Sequence, residues 1–240
     1  MPTTVVDSFD LPPGRVLAGR YTVKGFLGGG WEGEVYRVTE QETGIQRAAK
    51  IFYPQRNVKG RAVRFYATKL NRLRKCDIVI QYHHSVPVQY RGISVTCLIS
   101  ELVEGEPLAA LLAHQRGRRL QPFEALHLLY SLTTGLEQIH RLKEYHGDLH
   151  QNNVLVARRG IGFDVKLVDF YHLGASSRNR RGEDIVDVIR LFYDAVGGQR
   201  RYRSQPPYVK AICRGLRCDL IARRFPTMSH LLAHLESFDW

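Results

Sequence analysis

The hydrophobic rhythm of the chain changes once, near Pro107, and that change restricts the folds open to it. Before it, apolar residues come in short runs broken by turn residues, as in strands. Tyr21 to Leu27, a glycine cluster, Glu34 to Val38, the turn Glu42-Thr43-Gly44 and Gln46 to Phe52 read as an antiparallel meander. Val63, Tyr66, Leu70 and Leu73 then recur at spacings of three and four, which predicts one amphipathic helix over Val58 to Lys75. Two further strands are expected near Gln81–Val88 and Ser94–Leu102, around the turn Tyr90-Arg91-Gly92. After Pro107 the spacing is helical, most strongly from Pro122 to Lys143, where Pro122 suits a first helical turn. Short strands at Val154–Ala157 and Asp164–Val168 interrupt this half, and helices resume over Asp184–Val196, Tyr208–Leu216 and Thr227–Leu235. The expected class is α+β: a five-stranded antiparallel sheet with one helix, then a mainly helical half.

With 240 residues, 44% hydrophobic and 10% aromatic, the chain can bury one or two sizeable cores, which excludes a disordered or fibrous class. The longest apolar run, Val95 to Val103, is interrupted by Ser100 and Glu101 and falls short of the roughly 20 residues that cross a bilayer, so no membrane span is expected. Asp7 and Asp10 precede any basic residue, the wrong order for a secretory signal, and the expected location is cytoplasmic. Cys76, Cys97, Cys213 and Cys218 form no C-x-x-C pair, which argues against a zinc knuckle. A net charge of +12 favours acidic partners but speaks to association and not to fold. The basic runs Arg116–Arg119, Arg178–Arg181 and Arg200–Arg203 read as solvated loops.

Four features carry chemistry. Gly28-Gly29-Gly30-Trp31-Glu32-Gly33-Glu34-Val35 fits G-x-G-x-x-G-x-V between two strands, where glycines let backbone N–H groups approach phosphates. Ala48-Ala49-Lys50 puts a lysine in an apolar strand, which calls for an anion such as a phosphate. His146-Gly147-Asp148-Leu149-His150-Gln151-Asn152-Asn153 places a carboxylate and a carboxamide five residues apart ahead of a strand, and Asp169-Phe170 follows the next strand. His146, His150 and His172 lack the helical spacing and third ligand of a zinc site.

In this order the four features resemble the Hanks-type protein kinase family, in its bacterial serine/threonine branch. The likeness runs over nearly the whole chain. Leu11-Pro12-Pro13-Gly14 to Tyr21 is similar to the family's lead-in, Leu98 to Gly105 to its hinge, and Asp184 to Tyr193 to the long helix whose leading aspartate holds the catalytic loop. The resemblance implies a bilobal fold in one domain over 1–240: a lead-in 1–20, an N-lobe 21–101, a hinge 102–105 and a C-lobe 106–240. It also implies ATP and Mg²⁺ as cofactors. Asp148 would orient the acceptor hydroxyl and take its proton, Asn153 and Asp169 would hold Mg²⁺, and Lys50 would meet the α- and β-phosphates. Gly28, Gly30 and Gly33 would cover the phosphates, Glu101 and Val103 would face the adenine with their backbone, and Ser100 would be a small gatekeeper. Leu27, Val35, Ala48 and Leu155 would sandwich the ring. His150 replaces the usual lysine near the transferred group.

Three departures qualify this pattern. No Asp or Glu occurs between Glu42 and Asp77, so the lysine's usual helix glutamate is missing and Tyr66 stands near its place. Lys50 is expected to find Asp169 or the nucleotide instead. The helix carries Lys59, Arg61, Arg64, Lys69, Arg72, Arg74 and Lys75, which suits an acidic protein partner. The stretch from Asp169 to Asp184 is short and lacks A-P-E, and Gly147 replaces the arginine that reads a phosphorylated loop, so activity is expected not to depend on phosphorylation of Tyr171, Ser176 or Ser177. The leading reading is a protein serine/threonine kinase acting on a protein substrate. A pseudokinase and a small-molecule kinase of aminoglycoside-phosphotransferase type, suggested by H-G-D-L-H, stand beside it. Nucleic-acid binding rests on charge alone, with no motif behind it.

Overall fold

The computed structural model describes residues 5–170 and 177–238, the side chains of 177–179 excepted. The chain divides into two compact units, Met1–Lys75 with Ile80–Val103, and Cys76–Val79 with Glu104–Trp240.

The first unit is built on β1 (Val16–Leu17), β2 (Tyr21–Gly29), β3 (Gly33–Glu40), β4 (Gln46–Phe52), β5 (Tyr82–Tyr90) and β6 (Ile93–Glu101), with α1 (Arg61–Arg72) between β4 and β5 in sequence. All pairs are antiparallel and the sheet order is β1-β2-β3-β4-β6-β5. The sheet has six strands and not the expected five, because Val16 and Leu17 of the lead-in pair with Thr22 and Tyr21. A two-residue strand is too short to show alternation in sequence.

Alternation along β3 sends Glu34, Tyr36, Val38 and Glu40 to the buried face. A carboxylate there must be hydrogen-bonded. Glu34 accepts from the Phe9 backbone N–H at 3.0 Å, from the Tyr53 hydroxyl at 3.0 Å and from the Tyr36 hydroxyl. Burial pushes its carboxyl up, but the hydrogen bonds from Tyr36, Phe9, Ser8 and Tyr53 outweigh it and hold the group below its ordinary value. Glu40 is met by Arg20 Nε at 2.6 Å and Thr43 Oγ1 at 2.7 Å. These acids tie the lead-in and the first turn to the sheet, whose core is formed by Phe9, Leu17, Val23, Val38, Ile51, Cys97 and Ile99.

In α1, Val63, Tyr66 and Leu70 are buried as their spacing predicts. The helix is shorter than Val58 to Lys75. Lys59 and Gly60 have φ of 53° and 71°, so they cannot continue a right-handed helix, and the last turn ends before Leu73. Of the seven expected cations only Arg61, Arg64, Lys69 and Arg72 lie on α1, and Lys69 is buried with its Nζ 5.3 Å from the Phe65 ring.

The second unit contains β7 (Glu106–Pro107), α2 (Leu108–His114), α3 (Pro122–Arg141), β8 (Val154–Arg159), β9 (Gly162–Leu167), α4 (Ser177–Ala195), α5 (Gly198–Tyr202), α6 (Pro207–Cys213), α7 (Cys218–Arg224) and α8 (Met228–Glu236). A reciprocal capping box between Gln121 and Glu124, with Pro122 in the first turn, starts α3. Its buried face, including Leu128, Leu132, Leu136 and Ile139, packs against β9, α4 and α8. Strands β7, β8 and β9 form a small sheet in that order. Residues Cys76–Val79 join this unit: Ile78 accepts the Leu167 N–H at 2.7 Å, Val79 bridges to Leu167 in parallel, and a Cβ on Gly135 would lie 2.4 Å from Ile78 Cδ1. Among the described residues the four cysteines are unpaired, no cluster of three or more His, Cys, Asp or Glu could hold a metal, and no helix is long and apolar enough to cross a membrane.

Candidate active site

In the first unit the glycine segment closes the hairpin of β2 and β3. The Gly30 N–H is committed to the Gly33 carbonyl at 3.0 Å, so that group serves the turn. A Cβ on Gly33 would lie 2.0 Å from the Ile51 carbonyl oxygen, so this glycine is required by strand packing, whereas one on Gly28 or Gly30 would meet nothing within 4 Å. Leu27 is exposed, and Val35 and Ala48 are half-buried. At the end of β6, the Glu101 N–H donates to the Gln81 carbonyl at 2.9 Å and the Glu101 carbonyl accepts from Ser100 Oγ at 3.3 Å. Ser100 is buried, and Val103 is half-buried in the irregular backbone that follows.

Lys50 pairs with Glu32 of the glycine segment itself: Nζ lies 2.9 Å from Oε2, with the two side chains only 13% and 14% exposed. The Tyr66 hydroxyl donates to the same oxygen at 2.7 Å, and the ammonium stands 4.5 Å over the Tyr66 ring. The carboxylate missing from α1 is therefore present in the loop, with Tyr66 reaching it from the helix. Glu32 was visible within the motif; the signal was an acid where a loop is expected to approach phosphates.

In the second unit Asp184 organises the loop before β8. Fully buried, it accepts the backbone N–H groups of His146 at 2.8 Å and Gly147 at 2.7 Å, and faces His140 Nε2 at 2.9 Å. Gly147 has a φ of 82°, the left-handed region that favours glycine, which gives its presence a backbone reason. The His146 ring packs 4.6 Å from Phe170. Its Nδ1 accepts the Asp148 N–H at 3.3 Å, so the other ring nitrogen carries the proton and donates to the Val168 carbonyl at 2.8 Å. His146 is thus a packed core histidine with both ring nitrogens hydrogen-bonded.

Asn153 Nδ2 donates to the Asp148 carbonyl at 2.9 Å and lies 3.3 Å from Asp148 Oδ2, while its backbone bonds His150 and Val168. Because Val154 pairs with Leu167, Asn153 and Asp169 flank the same end of the β8–β9 hairpin. Leu155 is half-buried in β8. Asp169 adopts a φ of 55°, a conformation that costs a non-glycine residue about 1 kcal/mol or more and that clusters at functional sites. The Asp148 side chain is half-exposed, and His150 Nε2 lies 3.8 Å from its Oδ2. The Asn152 N–H donates to His150 Nδ1, which in the neutral ring turns the Nε2 proton toward Asp148. His172, Tyr171 and Ser176 lie outside the described residues, as does the Ser177 side chain.

These oxygens fit Mg²⁺. With its nitrogen spent on the loop, Asn153 offers Oδ1, and Asp169 adds a carboxylate, the small hard-oxygen set that Mg²⁺ completes with water and phosphate.

A family model described as protein kinase domain matches residues 21–205. Over 164 residues, 66% of the chain, it is 31% identical to the serine/threonine-protein kinase pkn2 of Myxococcus xanthus, and over 160 residues, 65% of the chain, 28% identical to the serine/threonine-protein kinase PknA of Mycobacterium tuberculosis. The matched segments cover 19% and 36% of those proteins, so the chain spans only a minor part of the relatives it matches. The fold is similar to the crystal structure of the Mycobacterium tuberculosis PknI kinase domain, with a TM-score of 0.67 at 20% identity, covering 94% of this chain and 98% of that one. On the family match across most of its length, the chain belongs to the protein kinase domain family.

Proposed function

We propose that the chain is an ATP- and Mg²⁺-dependent protein serine/threonine kinase, one domain over 1–240, with Asp148 as the base that takes the acceptor proton. The observation that carries this reading is the loop from His146 to Asn153: buried Asp184 fixes its start, Asn153 ties its end to the Asp148 carbonyl, and the Asp148 carboxylate is left half-exposed. A carboxylate presented on a backbone held at both ends can orient a hydroxyl without reorganising. Lys50 meets the nucleotide phosphates, and Asn153 and Asp169 hold the Mg²⁺, which neutralises phosphate charge when bound. The exposed Arg61, Arg64 and Arg72 of α1 suit an acidic protein partner.

The test is phosphoryl transfer from labelled ATP to a generic protein in the presence of Mg²⁺. Asp148→Asn and Asp169→Asn should each abolish it, with Asp148→Asn retaining nucleotide affinity. A wild type no faster than Asp148→Asn would leave a nucleotide-binding pseudokinase, and labelling of an aminoglycoside but of no protein would turn the assignment to a small-molecule kinase.

A further inference from the structure

We propose that Glu32 is the positioning residue for Lys50, supplying from the glycine loop the counter-charge that α1 lacks; this rests on the kinase reading, in which Lys50 meets the phosphates. An ammonium shielded from water needs an anion, and α1 has no acidic residue in its sequence. Glu32 provides one at 2.9 Å. A tyrosine in the middle of α1 cannot be a counter-ion at neutral pH, but it can hold one: Tyr66 donates to Glu32 at 2.7 Å and lends its ring face to the ammonium. Loop, strand and helix thus converge on a single carboxylate oxygen.

The backbone that carries Glu32 is anchored. Its carbonyl accepts the Tyr53 N–H at 2.9 Å, the turn is closed by Gly30 and Gly33, and the neighbouring Trp31 ring lies under the Arg56 guanidinium at 3.9 Å. Gly33 packs against the Ile51 carbonyl so closely that no side chain fits there. The carboxylate therefore sits at a defined height over β4. An ammonium has three N–H groups, so pairing with Glu32 and contact with phosphate oxygens are chemically compatible.

Three variants of the full chain test this: Glu32→Gln, Tyr66→Phe, and the double Glu32→Gln/Tyr66→Glu, which moves the carboxylate to the helix. Turnover and Mg-ADP affinity by calorimetry are read for each, with thermal melting to confirm folding. Glu32→Gln is expected to lower kcat at least tenfold with a smaller loss of affinity, Tyr66→Phe to fall between it and wild type, and the double variant to recover most of the loss. Only a role through charge at Lys50 predicts recovery from a carboxylate on another element. Glu32→Gln equal to or better than wild type, or a double variant as slow as the single, overturns the inference. If Glu32→Gln does not fold, Tyr66→Phe at wild-type activity overturns it. A wild type no faster than Asp148→Asn marks failure of the kinase reading instead; ADP affinity then decides, weaker binding by Glu32→Gln supporting the inference and unchanged or tighter binding overturning it. A wild type that binds no nucleotide overturns both.

Discussion

Asn153 spends its side-chain nitrogen on the carbonyl of Asp148, at 2.9 Å, and so closes residues 148–153 upon themselves. The amide thereby has two separable uses, a donor facing inward and an oxygen facing away from that bond.

Substitution can split the two. Asn153→Asp keeps the oxygens but sets a carboxylate against a carbonyl, and should lower stability by about 1–2 kcal/mol, seen as a shifted urea midpoint. Asn153→Ala removes both uses and should lose turnover about a hundredfold or more, with the Mg²⁺ concentration for half-maximal rate raised. Equal Mg²⁺ requirements in wild type and Asn153→Ala would remove the residue from the metal site.

A second prediction concerns Asp184, which receives two backbone N–H groups while wholly buried. Asp184→Asn keeps one acceptor and turns the other into a donor facing donors. The expected loss is about 3 kcal/mol, because an unsatisfied buried group forfeits its full desolvation cost. Denaturation of the variant at the wild-type midpoint would contradict this.

The sequence made the order of chemical residues legible, since each sits at a strand end or in a turn that local patterning marks. Lys50 and Asp169 were singled out in this way. It did not show what holds them. Asp184 reaches His146 across 38 residues, a tertiary contact with no local trace, and only the resemblance pointed to this aspartate as the one that holds the loop. Glu32 occupied a variable position of the glycine motif, where the pattern constrains only the glycines, and the anions expected for Lys50 were Asp169 or the nucleotide. The ends of α1 were misjudged because its cations continue past both ends, and like charges do not announce where backbone geometry changes. Short β1, β7 and α5 have too few residues for a period to emerge.

Asp187 on α4 is expected to make stability depend on pH. Burial, opposed by Arg190 and reinforced by Asp184, Glu183 and Asp148, pushes its carboxyl up to about 6 from an ordinary value of 3.8. A raised acid favours the folded state fully below the unfolded value, and that contribution is lost as pH rises through 6. Asp187→Asn stays neutral throughout. It should be more stable than wild type by about 1 kcal/mol at pH 8, after discounting for solvent screening, with the difference vanishing near pH 4. A pH-independent difference between the two melting curves would refute the assignment.

The first unit should show an alkaline limit. Burial and the hydrogen bond to Glu34 push the Tyr53 hydroxyl from 10.0 up to about 12. The protonated form is the one the fold favours, so its contribution is complete below pH 10 and disappears as pH rises through 12. Wild type should outlast Tyr53→Phe by a constant margin up to pH 9, and the margin should shrink above pH 10. A margin that grows with alkalinity would be inconsistent with the bond.

Four residues, Cys76–Val79, give the chain an obligatory waiting time during synthesis. They leave the ribosome well before Gly135, against which Ile78 packs, and nearly ninety residues before Leu167, which completes their hydrogen bonds. At roughly 5–20 residues per second, that interval is several seconds. During it β5 and β6 emerge and can complete their sheet, while a short apolar stretch upstream of them remains unmatched. The interleaving means that neither unit corresponds to one uninterrupted stretch of the gene. A cut at Glu104 would deprive the helical portion of the Val79 bridge to Leu167 and leave a void beside Gly135, so the natural fragments of this fold are not those that a single cleavage could release.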